Sequence, residues 1–224
     1  GGIDKIKYTN SLEAINNSIK NGYNLIEIDL IETSDKKLVA AHDWDLFKKI
    51  TNCCDQIIPD LKEFNSSKIL KKYTPVDYNK INNIFLENEN LILVTDKTNN
   101  FDLINNLFNF DKNRIIVEIF GRKNYFEAIK KGIKNPLYSA SIENTKNEID
   151  FILDYKIKMI SVNSLDFIKN INDYKKLKQE GVIIFVYTSN DLNFIEKNKN
   201  YIDSFYSDFI NINSMRCESS DCRT

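Results

Sequence analysis

The chain has 224 residues, and its 31 lysine and arginine residues almost balance its 32 aspartate and glutamate residues. This balance gives no support to an extended basic surface for nucleic acid, and no apolar run approaches the ~18–20 residues that span a bilayer. Hydrophobic residues make up 42% of the sequence, which is enough for one domain with a large core. We therefore predict a globular protein without a nucleic-acid partner or an integral membrane segment.

The cysteines are Cys53, Cys54, Cys217 and Cys222. Four cysteines are too few for a disulfide framework in a domain of this size, and a single histidine gives little support to a Cys/His zinc site. We interpret them as ordinary reduced thiols. Together with the lack of a visible signal segment, this interpretation predicts a cytoplasmic location.

Short runs rich in isoleucine and valine recur along the chain, as is typical of buried parallel strands. The first run, Asn24–Glu32, is followed after a turn by Leu38–Ala41. The later strand predictions are Leu91–Thr95, Ile115–Phe120, Leu137–Ala140, Lys158–Val162, Val182–Tyr187 and a weak run at Ser204–Tyr206.

Amphipathic stretches separate these runs. The first, Ser11–Asn21, places Leu12, Ile15 and Ile19 on one face, with Ser11 as a candidate N-cap and Gly22 as a stop. The other helix predictions are Phe101–Phe110, Tyr125–Lys131, Glu143–Tyr155, Tyr174–Gln179 and Leu192–Lys199. Alternating strands and helices of this number favour an α/β fold of the (β/α)8 TIM-barrel type. The alternative is an open doubly wound sheet, but the first strand lacks the glycine-rich turn of nucleotide-binding folds.

Two segments depart from this alternation. Residues 52–90 contain few strand signals, and we interpret them as an insertion after the second strand that caps the catalytic end. Residues 211–224 are polar and predict a flexible tail. The remaining chain, residues 1–210, is predicted to form one barrel domain.

Glu27 and Asp29 stand two residues apart in the first predicted strand. Side chains at this spacing share one face of a strand, and two buried carboxylates are costly unless a cation lies between them. A divalent cation with oxygen ligands, Mg²⁺ or Ca²⁺, satisfies this requirement. A lysine or arginine partner is the alternative.

His42 is the one histidine of the chain, and it follows the predicted strand Leu38–Ala41 directly. Isolated histidines are more often structural than catalytic, but this one is followed by Asp43 and Trp44 rather than by apolar core residues. This position favours a catalytic role more than isolated histidines usually do, and both roles stay open at this point. Trp44 either lines a substrate pocket or packs beneath the insertion.

The order of these residues, with their neighbours, resembles the glycerophosphodiester phosphodiesterase family, which belongs to the PLC-like phosphodiesterase barrels. That family shows a His-x-Gly-Gly start, then Pro-Glu-Asn-Thr-Leu-Glu-Ala, Glu-x-Asp, Thr-x-Asp-Gly-x-Leu-Val and His-Asp. The matching segments here are Gly1–Gly2, Tyr8–Ala14, Ile26–Asp29, Thr33–Val39 and His42–Asp43, with weaker similarity at Val186–Thr188, Asn190–Asp191, Ile202–Asp203 and Ser207–Phe209.

The resemblance implies a metal-dependent phosphoric diester hydrolase that cleaves a glycerophosphodiester or a related alkyl phosphodiester. It implies that Glu27 and Asp29 are metal ligands and that His42 is one of two catalytic histidines. The family's third ligand lies in a Glu-x-Lys segment, for which this chain has Asp96 and Lys97. We expect Asp96 to be the third metal ligand and Lys97 to bind phosphate, with Glu118 as the alternative ligand.

Adjacent strand residues point to opposite faces, so Asp96 and Lys97 both reach the site only at a strand end or bulge. Trp44 and Tyr187 are further candidates for substrate binding. Arg122 and Lys123 either contact a phosphate or are solvated loop charges.

The family's first histidine would precede Gly1, and we expect such a histidine upstream of Gly1 in the natural protein. Without that histidine, the domain would be a non-catalytic binder of a phosphate or sugar phosphate. A third hypothesis is a sphingomyelinase D-like phosphodiester lyase. The expected partner of the enzyme is a small-molecule phosphodiester substrate.

Overall fold

The computed structural model describes residues 2–54, 56–142, 147–214 and 216–217. The helices are Leu12–Lys20 (α1), Trp44–Thr51 (α2), Leu61–Ser66 (α3), Tyr78–Glu87 (α4), Phe101–Leu107 (α5), Arg122–Lys130 (α6), Glu148–Asp154 (α7), Ser164–Lys169 (α8), Ile171–Gln179 (α9) and Leu192–Asn198 (α10). The strands are Leu25–Glu32 (β1), Leu38–Ala40 (β2), Ile92–Asp96 (β3), Ile115–Phe120 (β4), Asn135–Ser139 (β5), Met159–Asn163 (β6), Ile183–Tyr187 (β7), Ser204–Phe205 (β8), Ile210–Asn211 (β9) and Arg216–Cys217 (β10).

The chain divides into two compact units. The first contains residues 1–117 and 128–135, and the second contains residues 118–127 and 136–224. The prediction of one barrel domain over residues 1–210 stays a prediction.

The first unit has the strand order β2-β1-β3-β4. β1, β3 and β4 are parallel neighbours, whereas β2 returns antiparallel to β1 through the turn at residues 33–37. α1 begins as predicted, because the Ser11 hydroxyl accepts a hydrogen bond from the backbone N–H of Ala14. The predicted second strand is therefore a hairpin partner of β1 that brings the chain back toward the middle of β1.

The predicted insertion contains α3 and α4. It packs on β2 through an apolar cluster in which Val39 and Phe47 contact Phe64 and Tyr73 from the insertion. The rings of Phe47 and Phe64 stack at a centroid distance of 4.7 Å. This packing fixes the beginning of α2 against the end of β2. The sulfur atoms of Cys53 and Cys54 lie against each other just after α2, and the interpretation of the cysteines as reduced thiols stays a prediction.

The second unit has the parallel order β5-β6-β7-β8. Its core includes the rings of Phe167 and Tyr174, which stack at 5.4 Å. The helix predicted at Glu143–Tyr155 is α7, and its first four predicted residues lie outside the described part of the chain. Within the predicted tail, β9 pairs antiparallel with β10. Residue 215 and residues 218–224 lie outside the described residues.

Candidate metal and phosphate site

Three carboxylates of the first unit converge at the ends of β1 and β3. The parallel register pairs Asp29 with Asp96 directly, and Glu27 lies two residues earlier on the same face of β1. One oxygen from each carboxylate lies within 4.8 Å of the others, and Asp29 and Asp96 are buried. The structure thus brings together the three residues that were predicted from the sequence to be metal ligands.

This oxygen set fits a hard divalent cation. Oxygens that bind one Ca²⁺ at 2.3–2.6 Å lie at most about 5 Å apart, which is compatible with the spacing observed here. Within the described part of the chain, Glu27, Asp29 and Asp96 form the one group of three potential metal ligands. This arrangement favours Asp96 over Glu118 as the third ligand.

Lys97 reaches the same carboxylates although it follows Asp96 directly. β3 ends at Asp96, and Lys97 adopts a left-handed backbone with φ 66°. Its Nζ lies 3.1 Å from Asp96 Oδ2 and 3.5 Å from Asp29 Oδ1. Burial alone would lower the pKa of Lys97, but the charges of Asp96 and Asp29 outweigh burial and raise it. The ammonium therefore stays charged beside the two carboxylates.

Asn10 makes a contact that was not predicted from the sequence. Its Nδ2 donates to Asp29 Oδ2 at 2.8 Å, and its Oδ1 accepts from the Asp29 backbone N–H at 3.3 Å. Asn10 is 2% exposed. The sequence feature that could have indicated this contact is the position of Asn10, which directly precedes the N-cap of α1 and lies in the segment that matches the family's Pro-Glu-Asn-Thr.

His42 follows β2 directly. Its neighbour Ala41 is hydrogen-bonded to β1, because the Ala41 N–H donates to the Asp29 carbonyl at 3.1 Å. Its Nδ1 lies 2.6 Å from Asp43 Oδ2. The ring of Tyr8 packs edge-on against the imidazole at 4.9 Å. The half-buried imidazole is thus held from two sides.

Asp43 also caps α2, in addition to its contact with His42. Its Oδ1 accepts the Leu46 N–H at 2.7 Å and caps α2. The Leu46 N–H and the His42 side chain both lower the pKa of Asp43. An ionised carboxylate only accepts hydrogen bonds, so Nδ1 of His42 carries the proton and Nε2 is left for other contacts.

Trp44 packs against aromatic residues of α2 and of the insertion, as expected if it lies beneath the insertion rather than in a substrate pocket. Its ring meets those of Phe47 at 5.8 Å and Phe64 at 6.3 Å, both edge-on. The side chains beside His42 are those of Tyr8 and Leu46. Substrate binding by Trp44 stays a prediction.

The remaining candidates lie in the second unit. Glu118 accepts hydrogen bonds from Ser161 Oγ at 2.7 Å and Tyr206 Oη at 3.0 Å. Arg122 pairs with the buried Glu148 at 2.8 Å. Tyr187 ends β7, and its role in substrate binding stays a prediction.

The fold and the site place this protein among the α/β proteins that group acidic side chains at the ends of parallel strands. Within that class, the model of the Glycerophosphoryl diester phosphodiesterase family matches residues 4–81. No curated protein sequence matches the chain. In the described part of the chain, no helix is both long and apolar enough to span a membrane.

Solved structures match over nearly the whole chain. A glycerophosphodiester phosphodiesterase from Thermotoga maritima is 24% identical, with a TM-score of 0.69, and the match covers 90% of this chain and 89% of that one. One from Agrobacterium tumefaciens is 12% identical, with a TM-score of 0.71 and coverage of 92% and 93%. An Oleispira antarctica phosphodiesterase in complex with the product sn-glycerol-3-phosphate is 15% identical, with a TM-score of 0.75 and coverage of 92% and 90%.

The chain therefore resembles the glycerophosphodiester phosphodiesterase family in sequence over residues 4–81 and in fold over most of its length. The predicted resemblance is confirmed. The predicted α/β fold of the TIM-barrel type is confirmed as well.

Proposed function

We propose that this protein is a metal-dependent phosphodiesterase that hydrolyses a glycerophosphodiester or a related alkyl phosphodiester. The observation that carries the proposal is the cluster of Glu27, Asp29 and Asp96, whose oxygens lie within 4.8 Å of one another. Acidic clusters are common without metals, and the Lys97 ammonium already compensates part of the charge of Asp29 and Asp96. The metal assignment is therefore supported by the number of converging carboxylates, and by the position of Glu27 and Asp29 within the segment that matches the family model.

Glu27, Asp29 and Asp96 would hold Mg²⁺ or Ca²⁺. A bound divalent cation supplies positive charge that neutralises the phosphate and favours attack on phosphorus. Lys97 Nζ adds a fixed positive charge at the same place and binds a phosphate oxygen. Both effects are strongest where negative charge increases, on the phosphate oxygens of the transition state.

His42 is proposed to move a proton at Nε2. In hydrolysis the attacking water gives up a proton as its oxygen bonds to phosphorus, the phosphorus–oxygen ester bond breaks, and the leaving alkoxide takes up a proton. His42 serves one of these two transfers, and Asp43 keeps Nδ1 protonated throughout. The products are an alcohol and a phosphomonoester.

The substrate class is supported by the comparisons. The Oleispira antarctica relative was solved with sn-glycerol-3-phosphate, which is the phosphomonoester expected from a glycerophosphodiester. We extend this substrate class to the present chain because the family match includes Glu27, Asp29 and His42.

The test is hydrolysis of sn-glycero-3-phosphocholine, sn-glycero-3-phosphoethanolamine and lysophosphatidylcholine, followed by phosphorus NMR. The protein is assayed with any residues that precede Gly1 in the natural protein, in Mg²⁺, in Ca²⁺ and after treatment with EDTA. We expect a phosphomonoester that appears only with metal and is lost in His42→Ala.

Two other results would support the alternative hypotheses. A cyclic phosphate in place of the phosphomonoester would indicate a lyase of the sphingomyelinase D type. Metal-dependent binding of glycerol phosphate, with no turnover of any diester, would indicate a non-catalytic binding domain. Turnover that is unaffected by EDTA would contradict the assigned role of the carboxylate cluster.

A further inference from the structure

Asn10 divides the two oxygens of the Asp29 carboxylate between two tasks. Oδ2 accepts the Asn10 Nδ2–H at 2.8 Å, while Oδ1 lies 3.5 Å from Lys97 Nζ, on the side of the other carboxylates. A carboxylate with one oxygen fixed in this way cannot rotate freely about its last side-chain bond. The second oxygen is therefore presented in one direction.

The Asn10 amide is itself held in one orientation. Its Oδ1 accepts the backbone N–H of Asp29 at 3.3 Å, so both polar ends of the amide bind the same residue. A flipped amide would place its oxygen against the carboxylate and its NH₂ against the backbone N–H, which loses both hydrogen bonds. The contact is thus specific to an amide of this length.

The backbone of this segment fixes where Asn10 lies. Asn10 has φ 46°, a left-handed conformation that asparagine tolerates better than most residues. Ser11 follows as the N-cap of α1, and the Leu12 N–H donates to the Thr74 carbonyl at 3.0 Å. The backbone around Asn10 is therefore held by α1 and by the insertion, neither of which is adjacent to Asp29 in the sequence.

We propose that Asn10 is the positioning residue of the metal site: it orients Asp29 for a divalent cation and does not itself bind the cation. The proposal rests on the function proposed above, because it assumes that Glu27, Asp29 and Asp96 hold that cation. Partners behind metal ligands commonly change metal affinity by about 10- to 100-fold. An effect of this size is expected here.

The experiment measures Mg²⁺ and Ca²⁺ affinity by calorimetry in the purified chain and in Asn10→Gly and Asn10→Ala. Both variants lack the amide, but only glycine accepts the left-handed backbone without strain. Asn52 supplies the matched control, because it also has a left-handed backbone, with φ 58°, and is exposed at the end of α2. Asn52→Gly and Asn52→Ala are measured in parallel.

We expect both Asn10 variants to bind metal about 10- to 100-fold more weakly, with higher metal concentrations needed for half-maximal turnover and kcat largely restored at saturating metal. Both Asn52 variants should bind as the original chain does. If Asn10→Gly binds normally and only Asn10→Ala is impaired, backbone strain explains the effect and the proposal fails. Equal affinity in all variants also overturns it, whereas an original chain that binds no metal overturns the metal site itself.

Discussion

Asp43 holds His42 and the first turn of α2 with the two oxygens of one carboxylate. Oδ2 lies 2.6 Å from His42 Nδ1, and Oδ1 accepts the Leu46 N–H at 2.7 Å. The imidazole is therefore oriented relative to a helix whose buried Phe47 packs in the apolar cluster with the insertion. A local helix cap and a candidate catalytic group depend on the same side chain.

The two roles of Asp43 can be separated by substitution. Serine caps helices well but is too short to reach His42, so Asp43→Ser should keep the stability of α2 while activity falls at least tenfold. Asp43→Ala should lose the cap as well, at about 1 kcal/mol. Steady-state kinetics and urea denaturation measure the two effects. Equal activity of Asp43→Ser and the original chain would contradict the positioning of His42 by Asp43.

His42→Ala should reduce turnover by at least about 100-fold, because a general acid or base contributes this much or more. Metal affinity should change little, since the proposed ligands are Glu27, Asp29 and Asp96. Calorimetric titration with Mg²⁺ beside the activity assay checks both expectations. A variant that loses metal binding together with activity would show that His42 supports the metal site rather than proton transfer.

Removal of the Lys97 charge should destabilise the metal-free protein by about 1–3 kcal/mol, because Asp29 and Asp96 then face each other without their ammonium partner. Lys97→Met keeps the aliphatic stem and removes the charge. Saturating Ca²⁺ should therefore raise the Tm of the variant more than that of the original chain.

The matched control for Lys97 is Lys36, whose Nζ lies 3.6 Å from Glu32 and whose side chain is 75% exposed. Lys36→Met should change stability by less than about 0.5 kcal/mol. Equal Ca²⁺-induced shifts of Tm in Lys97→Met and the original chain would refute the role of Lys97 as a partner of the carboxylates.

Tyr138 makes stability depend on alkaline pH. Burial, then its hydrogen bond with Glu148 and the charge of Glu148, raise the pKa of Tyr138 to about 12 from the ordinary value of 10.0. A raised pKa favours the protonated form in the folded state. The associated stability is present below pH 10 and is lost as the pH rises toward 12, by up to roughly 3 kcal/mol.

Tyr138→Phe removes this group, so its stability should fall less steeply between pH 9 and pH 12 than that of the original chain. Urea denaturation at several pH values across this range measures the slope. Tyr155→Phe is the control, because Tyr155 is 59% exposed. Parallel stability curves for Tyr138→Phe and the original chain would rule out Tyr138 as the source of the pH dependence.

Most elements of the fold were predictable because their signals are local. The strands of continuous isoleucine and valine and the helix capped by Ser11 appear close to their predicted bounds. α3 was missed although its capping box, Asp60 with Glu63, was present in the sequence. The polar composition of residues 52–90 hid α3 and α4, where Phe64 is buried by packing on β2, and α2 and α8 were missed as well.

The amino-acid sequence by itself determined that Glu27 and Asp29 share one face of β1 and that His42 follows β2, because strand periodicity and chain order decide both. Only the tertiary structure decided that Asp96 pairs with Asp29 and that Lys97 turns back toward both carboxylates. It alone also places the Asn10 amide behind Asp29. These contacts join residues far apart in sequence, and their geometry depends on strand register and on a left-handed backbone, which side-chain spacing does not specify.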